Sequence, residues 1–315
     1  MITKIKTESR EEWLTLRRQS IGGSDAGTIC GYNPYSSKYA LWAEKTGAVV
    51  PEDISEKEAV RLGNDLEDYA AKRFTEKTGI KVRKVNFTFR NDKYPFAHAN
   101  IDRDVVGEDA GLEIKTTSNY EYIKLCESGD FPAQWYAQMI HYMMVTEKKK
   151  WYLAVLCFGR GFYIFEIERT AEIEKEIEAL AGIEKGFWQE VLSRTPPDID
   201  GSKATTEAIG SIFGKGNCET EIDLSGAAEH LYKYKAISGQ IKQLENLLEE
   251  EKNRIKVFMG EATKGSFGDF GISWKEQKKS TFDSKRFALE HPEIDMSIYY
   301  RESTSRVFRF NERKA

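Results

Sequence analysis

Apolar and polar residues alternate over one short stretch of the chain, and this pattern predicts a half-buried β-strand. Residues 112–117 read Leu-Glu-Ile-Lys-Thr-Thr. Successive side chains of a strand point to opposite faces, so Glu113 and Lys115 should share one face while Ile114 lies on the other. A carboxylate and an ammonium group two residues apart on one face can occupy a single cleft.

Asp102 can join this pair from a neighbouring strand. It ends a strand-like run over residues 96–102, and the next run begins at Gly111, after a segment (residues 103–110) that indicates a hairpin turn. Side chains on neighbouring strands lie ~5 Å apart. Carboxylates that close, Asp102 and Glu113, repel each other unless a cation lies between them, and a hard divalent cation with oxygen ligands suits the place. The alternative is an ordinary hairpin with an exposed Glu–Lys pair.

The remaining hydrophobic pattern predicts a mixture of helices and strands. Helical periodicity predicts helices over residues 8–20, 24–30, 37–46, 60–78, 132–145, 172–192 and 227–259. Alternation predicts strands over residues 81–90, 96–102, 112–117, 151–158 and 161–167. The mixed order, with a run of three strands first, predicts an α/β (α+β) fold with a central sheet.

One predicted helix carries a carboxylate on its apolar stripe. Glu67 lies within about 60° of Ala70, Ala71 and Phe74 on a helical wheel, so it shares the stripe that should face the core. A carboxylate there is costly unless it is paired or bound to a metal. A salt bridge to a nearby arginine, such as Arg61, is the ordinary alternative.

A candidate anion site precedes the second predicted helix. Two glycines come just before Ser24 or Asp25, either of which is a good N-cap. Glycines before a helix N-terminus let the backbone approach an anion, and Arg17 or Arg18 lies close upstream. Most Gly-Gly-Ser segments, however, are only turns.

The predicted helix over residues 132–145 is apolar except for one polar stripe. The stripe consists of Gln134, Gln138 and His141. A lone histidine in such a helix is usually hydrogen-bonded or exposed rather than a ligand, so we assign His141 no role in chemistry.

The last third of the chain has a different pattern. Residues 198–222 are rich in Gly, Ser and Thr and indicate a linker or an irregular excursion. The helix over residues 227–259 carries apolar residues at alternating spacings of three and four, a coiled-coil or helical-hairpin pattern broken at Glu251. Residues 265–276 and 297–310 alternate like strands. Basic and aromatic residues interleaved there suit nucleic acid, and suit equally a small core with a solvated face.

Composition limits the classes of protein. Of the 315 residues, 40% are hydrophobic and 12% aromatic, which is enough for a real core. With a net charge of −4, the chain must concentrate basic residues locally if it binds nucleic acid. Scattered cysteines argue against a zinc or iron–sulfur site and for a reducing compartment; they are Cys30, Cys126, Cys157 and Cys218. With no apolar signal core and no run of 18 apolar residues, we expect a soluble, cytoplasmic protein without a membrane partner.

The residues singled out above as candidates for chemistry occur in an order that resembles the active site of the PD-(D/E)xK nuclease superfamily. More narrowly, residues 8–190 are similar to the lambda-exonuclease, or YqaJ viral recombinase, family of phage nucleases. Five motifs carry the resemblance: Trp13-Leu-Thr-Leu-Arg17 with Gly-Gly-Ser24, Leu62-Gly-Asn-Asp-Leu-Glu67, Ala99-Asn-Ile-Asp102, Leu112-Glu113-Ile-Lys115 and Tyr136-Ala-Gln138. Ile101 stands where the superfamily has proline, which is a tolerated change.

The resemblance implies a metal centre. Asp102 and Glu113, helped by the backbone carbonyl of Ile114, would hold one or two Mg²⁺ ions, for which Mn²⁺ can substitute. Glu67 would hold or orient the second metal.

The resemblance also implies roles in hydrolysis and in recognising a DNA end. Lys115 would position and help deprotonate the attacking water, and beside a metal we expect its pKa to be lowered. Gln138 would fix that water, the lysine or the scissile phosphate. Arg17 and Ser24 match the pocket for a terminal 5′-phosphate.

These roles imply a metal-dependent 5′→3′ exonuclease that acts on double-stranded DNA and generates single-stranded tails for phage recombination. Its location would be the cytoplasm of a bacterium or phage-infected host, with a single-strand annealing protein as partner and a ring-shaped homotrimer as assembly. We expect a restriction-endonuclease-like core with a central mixed sheet over residues 1–195. A linker (196–226) and a long helix with a small α+β tail (227–315) would follow.

Two other kinds of protein remain open at this point. One is another PD-(D/E)xK nuclease, such as an endonuclease or a Cas4-like enzyme, although the latter usually carries a four-cysteine iron–sulfur cluster. The other is a catalytically silent DNA-binding or scaffold protein, which would have no need of Asp102, Glu113 and Lys115 together.

Overall fold

The strand around Glu113 lies at the centre of a five-stranded sheet in the computed structural model, which describes residues 1–51, 53–214, 216, 220–301 and 306–311. The strands are β1 (Ile2–Ile5), β2 (Val82–Lys84), β3 (Thr88–Asn91), β4 (Arg103–Val105), β5 (Ala110–Thr117), β6 (Lys150–Cys157), β7 (Gly161–Glu168), β8 (Lys264–Phe267) and β9 (Phe270–Ser273). The α-helices are α1 (Arg10–Arg18), α2 (Gly23–Ile29), α3 (Lys38–Lys45), α4 (Glu58–Thr78), α5 (Tyr120–Ser128), α6 (Ala133–Thr146), α7 (Ala171–Leu192), α8 (Lys203–Phe213), α9 (Ala228–Met259) and α10 (Ser284–Glu290). The chain divides into two compact units, Met1–Gly214 and Lys215–Ala315.

The central sheet has the strand order β2-β4-β5-β6-β7. β5 and β6 are parallel, and the other neighbouring pairs are antiparallel. A two-stranded sheet of β1 and β3 lies beside it in the first unit. The predicted α/β (α+β) fold with a central mixed sheet flanked by helices is therefore confirmed.

Two strand predictions near Asp102 are wrong. Residues 96–102 form no strand, because their backbone groups are divided between single bridges to Ile21 on one side and to Phe89 on the other, so no continuous ladder develops. Residues 103–110 are not all turn, because β4 begins directly after Asp102 and pairs with both β2 and β5. Asp102 therefore lies at the start of a short strand rather than at the end of a long one.

Alternation along β5 directs its side chains to the two faces of the sheet, which different helices cover. α4 covers one face, where Phe74 belongs to the same core as Leu112 and Ile114. α6 covers the other face, where its Met139 shares the main core with Leu153 of β6. Glu113, on the face of β5 opposite Leu112 and Ile114, points toward α6, where its carboxylate accepts a hydrogen bond from Gln138.

A buried histidine–carboxylate pair joins α6 to α7. His141 Nδ1 lies 2.7 Å from Glu184 Oε1, and its Nε2 lies 2.8 Å from the carbonyl oxygen of His98. Burial lowers the pKa of His141, but the Glu184 carboxylate and these hydrogen bonds outweigh that effect and raise it overall. The sequence-based interpretation of His141 as a satisfied histidine is confirmed.

The predicted linker contains a packed helix. α8 lies within residues 198–222 and packs against α3, where Thr205 Oγ1 donates a hydrogen bond of 2.7 Å to Ser37 Oγ. The Ser and Thr residues that suggested a linker serve instead as the N-cap (Ser202) and as buried hydrogen-bonding groups. Cys218 lies outside the described residues.

The second unit is built on α9, whose apolar side chains at heptad spacing are exposed along its length. β8 and β9 form a hairpin, so the strand predicted over residues 265–276 is divided by a turn at residues 268–269. The strand predicted over residues 297–310 is absent from the part described, since Met296–Tyr299 is a 3₁₀ helix. In the described residues no helix is both long and apolar enough to cross a membrane.

Truncation should show whether α8 belongs to the first unit. We expect a protein of residues 1–214 to unfold at a higher temperature than one of residues 1–195, because the shorter form leaves the α3 surface and the Ser37 hydroxyl uncovered. A loss of about 1–3 kcal/mol corresponds to several degrees in a chain of this size. Thermal unfolding followed by circular dichroism measures the difference, and equal midpoints would contradict the assignment.

Candidate active site

Glu113 is the most buried carboxylate of the candidate site, with 2% of its surface exposed. Its Oε1 accepts hydrogen bonds from Lys115 Nζ and Gln138 Nε2, each at 2.7 Å. Its Oε2 is buried and, among the residues that the structure describes, has no hydrogen-bonding partner. One oxygen is thus doubly satisfied while the other is bare, which is costly for a buried charged group unless a further cation binds there.

Asp102 is fixed against β5 by a backbone hydrogen bond. The N–H of Ile114 donates to Asp102 Oδ2 at 2.8 Å, just beyond the last residue of β5 that pairs with β4. The N–H and C=O of a strand residue point to the same edge, so the Ile114 carbonyl also points toward Asp102. Burial, and then the nearby negative charge of Glu113, raise the pKa of Asp102 well above its usual value.

Lys115 lies on the same face of β5 as Glu113, as alternation predicted, and about a quarter of its side chain is exposed. Burial alone would lower the pKa of its ammonium group, but the carboxylates of Glu113 and Asp102 outweigh burial and raise that pKa. The sequence-based expectation of a lowered pKa for Lys115 applies to a lysine beside a bound metal ion. A divalent cation on the two carboxylates would offset the charge that now raises the pKa.

Gln138 reaches the site from α6. Its Nε2 donates to Glu113 Oε1 and also to the hydroxyl oxygen of Tyr142, at 2.8 Å, one helical turn further along. Burial, followed by the charges of Glu113 and Asp102, raises the pKa of Tyr142 well above 10, so its phenol stays neutral. The sequence places Gln138 and Tyr142 on one helix face, but nothing in it singled out Tyr142 from the apolar residues around it.

The carboxylate of Glu67 forms a salt bridge with a buried arginine. The guanidinium of Arg103, which is 3% exposed, donates to Glu67 Oε1 and to Asp68 Oδ1. The ordinary alternative, a salt bridge, is therefore correct in kind, although Arg103 and not Arg61 is the partner. The role of Glu67 as a metal ligand stays a prediction, since in this arrangement its carboxylate already has a cation.

The oxygen atoms around Asp102 fit a hard divalent cation. The donors are the bare Oε2 of Glu113, the carboxylate of Asp102 and the Ile114 carbonyl, and oxygen is the element that such cations prefer. Within the described ranges, no three or more His, Cys, Asp or Glu side chains are grouped so that they could hold a metal ion. A cation here would therefore need water or a substrate oxygen to complete its coordination.

Arg17 and Ser24 lie together at the surface. Arg17 Nη2 is 3.4 Å from Ser24 Oγ, and its guanidinium lies 4.6 Å from the ring centre of Trp13. The prediction that Ser24 or Asp25 is the N-cap of α2 is wrong, because Gly22 holds that position and the Asp25 carboxylate bonds back to the Gly22 N–H at 2.9 Å.

Lys45 fixes the segment that contains Arg17 and Ser24, a role that the sequence did not predict. Its Nζ donates to the carbonyl oxygens of Arg17 and Ser20, each at 2.9 Å, and pairs with Asp25 Oδ2 at 2.7 Å. The loop between α1 and α2 is thereby tied to α3. A lysine at the end of an amphipathic helix gives no sign of such a role, since most are solvated.

Comparison with known proteins gives consistent results. Residues 12–149 match the YqaJ-like viral recombinase domain. The chain is 37% identical over 298 residues to the protein YqaJ of Bacillus subtilis strain 168, covering 93% of this chain and 92% of the relative.

Solved structures of lower similarity include two exonucleases. An alkaline exonuclease from Laribacter hongkongensis has a TM-score of 0.47 and 19% identity, covering 58% of this chain and 93% of that one. A phage-related exonuclease from Haemophilus somnus has a TM-score of 0.42 and 14% identity, covering 57% and 98% respectively.

The repulsion between the two carboxylates should be visible in stability. Asp102→Asn should raise the unfolding midpoint of the protein in EDTA by a few degrees, about what 1 kcal/mol gives in a protein of this size, because it removes one of two charges while an amide oxygen can still accept the Ile114 N–H. Asp65→Asn, at an exposed position on α4, is the control and should change nothing. A lowered or unchanged midpoint for Asp102→Asn in differential scanning fluorimetry would contradict the repulsion.

Proposed function

The chain belongs to the family of YqaJ-like viral recombinases, which supports a phage-type recombination nuclease, and from this premise we propose a metal-dependent exonuclease. It would hydrolyse phosphodiester bonds of double-stranded DNA in the 5′→3′ direction and leave single-stranded tails. The observation that carries the proposal is the grouping of three residues on β5 and just before β4: Asp102 accepts from the Ile114 N–H, Lys115 pairs with Glu113 Oε1, and Glu113 Oε2 is buried with no hydrogen-bonding partner among the described residues.

Phosphodiester hydrolysis needs charge neutralisation at the phosphoryl oxygens and an activated water. Mg²⁺, or Mn²⁺ in its place, would supply both when bound by Asp102, Glu113 and the Ile114 carbonyl. Gln138 orients Glu113 by occupying its Oε1, which leaves Oε2 directed at the ligand position. We propose that Glu67 holds or orients a second cation, for which its carboxylate would have to exchange its present partner, the Arg103 guanidinium, for that cation.

Lys115 is the proton carrier of this scheme. Its Nζ lies 2.7 Å from Glu113 and is partly open to solvent, so it can reach a water molecule beside the carboxylates. An ammonium group there attracts the scissile phosphate, and its neutral form accepts the proton of the attacking water. Gln138 limits the positions that Lys115 can take, because both donate to the same oxygen.

We assign the terminal 5′-phosphate to Arg17 and Ser24. A guanidinium and a hydroxyl group 3.4 Å apart can donate to one phosphate together. Binding the phosphorylated end there would set the 5′→3′ direction. Lys45 donates a hydrogen bond to the Arg17 carbonyl oxygen and so helps to keep the proposed phosphate-binding pair, Arg17 and Ser24, in place.

Loss of the central residues should abolish cleavage. Asp102→Asn, Glu113→Gln and Lys115→Met should each reduce Mg²⁺-dependent hydrolysis of linear duplex DNA by about 10²-fold or more, because each removes a cation ligand or the proton carrier. Lys124→Met, at an exposed position of α5, is the control and should cleave normally. End-labelled linear and closed-circular DNA, with and without EDTA, are the substrates.

Two results of that assay would contradict the proposal. Near-normal hydrolysis by any of the three variants would remove that residue from the centre. Cleavage of closed-circular DNA as fast as of linear DNA would favour an endonuclease.

End recognition should depend on Arg17 and not on its neighbour. Arg17→Ala should slow digestion of 5′-phosphorylated ends selectively, because its guanidinium meets Ser24. Arg18→Ala, in the same helical turn and exposed, is the matched control. Equal slowing of 5′-phosphate and 5′-hydroxyl substrates by Arg17→Ala would argue against this pocket.

The same family resemblance leads us to propose a homotrimer and a single-strand annealing protein as partner. Exposed apolar side chains along α9 give the second unit a surface on which another protein can pack. Light scattering of the full chain should give the mass of three copies, and a monomer or dimer at micromolar concentration would contradict the trimer.

A further inference from the structure

Tyr142 contacts both the cleavage centre and the end-binding segment. Its hydroxyl oxygen accepts from Gln138 Nε2 at 2.8 Å, and the same nitrogen donates to Glu113. Its ring lies directly under the first residue of α2, because a Cβ built on Gly23 would come within 2.4 Å of the ring. Ser24, the proposed phosphate ligand, is the next residue along the chain.

The ring of Tyr142 is itself backed by a rigid stack. It lies 5.1 Å, centre to centre, from the ring of Trp151 on β6. The Trp151 ring in turn lies against Gly111, where a Cβ would come within 2.4 Å of it. Since Gly111 is on β5, two residues before Glu113, the stack runs without a gap from the catalytic strand to the start of α2.

The rings of this stack are tightly packed. Tyr142 is 4% exposed and Trp151 is fully buried, and close-packed interiors transmit displacement rather than absorb it. The two aromatic rings and the two glycines against which they pack therefore help to set the distance from Glu113 to Ser24.

We propose that Tyr142 is a positioning residue that fixes the separation between the Arg17–Ser24 pair and the Asp102–Glu113 centre, and so sets the length of the product. This inference rests on the proposed function. With the 5′-phosphate held at one point and the attack directed at another, only the phosphodiester bond at the matching distance is cut. Successive phosphates of one strand lie about 3.4 Å apart along the DNA axis, and a misplacement of about 1 Å can cost ~10²-fold in rate.

The two parts of the side chain have separable effects. The hydroxyl group orients Gln138 and thereby affects the rate of cleavage. The ring sets the position of Gly23 and Ser24 and thereby affects product length and 5′-phosphate preference. A residue that merely filled the core would affect neither product length nor end preference once the protein folds.

The test compares Tyr142→Phe and Tyr142→Leu in the full chain on duplex DNA with 5′-phosphate or 5′-hydroxyl ends, with released products separated by length. Tyr142→Phe should cleave up to about tenfold more slowly but give one product length and the normal end preference. Tyr142→Leu should give several product lengths and lose most of its preference for 5′-phosphate. Tyr152→Leu, which removes an equally buried tyrosine from the face of the sheet covered by α4, should retain both properties.

Gly23→Ala approaches the same contact from the other side. Its methyl group would press on the Tyr142 ring and displace the first turn of α2, so it should resemble Tyr142→Leu in product length and end preference. This variant provides the test if Tyr142→Leu does not fold.

Two results overturn the inference, and they are distinguishable. An unchanged product length and end preference in a folded Tyr142→Leu or Gly23→Ala protein overturns this role of Tyr142 alone. A wild-type protein that cleaves 5′-phosphate and 5′-hydroxyl ends equally well removes the end pocket of the proposed function, and the inference with it.

Discussion

The candidate site depends on one constraint, which is that the carboxylates of Asp102 and Glu113 share one buried place with a single ammonium group, that of Lys115. The Ile114 N–H holds Asp102, and among the described residues no group donates a hydrogen bond to Glu113 Oε2. Such an arrangement costs stability. Lys115 and Gln138 both bind Glu113 Oε1. The repulsion between the two carboxylates is therefore concentrated at Oε2 and is not relieved by a change of hydrogen-bonding partners.

Local pattern was sufficient to predict the polar face of β5, since strand alternation is decided by neighbours in the sequence. It failed where a long-range partner decides the structure. The segment before Asp102 looks like a strand by composition, but its backbone forms one bridge with Ile21 and another with Phe89 instead of a continuous ladder. Likewise Glu67 was correctly placed next to the core stripe of α4, but its partner Arg103 lies on β4, and nothing near Glu67 in the sequence points to it.

The family resemblance supplied what physical patterns could not, namely which of many charged residues share a site. It says nothing of the groups that hold those residues in position. Lys45 is an ordinary basic residue at a helix end in the sequence, yet it binds two carbonyl oxygens and the Asp25 carboxylate. His141 and Glu184 form a comparable buried pair between α6 and α7. Removing one member of such a pair is far more costly than replacing both, so these pairs hold the helices in one arrangement.

Glycine at two particular positions explains how a helix and a strand can be connected through aromatic rings. Gly23 and Gly111 are the places where backbone meets the rings of Tyr142 and Trp151, and neither position has room for a methyl group. Because the Tyr142 ring contacts the backbone at Gly23 and the Trp151 ring contacts it at Gly111, the two rings together occupy the gap between α2 and β5. A flexible aliphatic side chain in place of Tyr142 or Trp151 could fill the same volume. It would leave the gap between α2 and β5 variable, because it has several rotamers where a buried ring has essentially one.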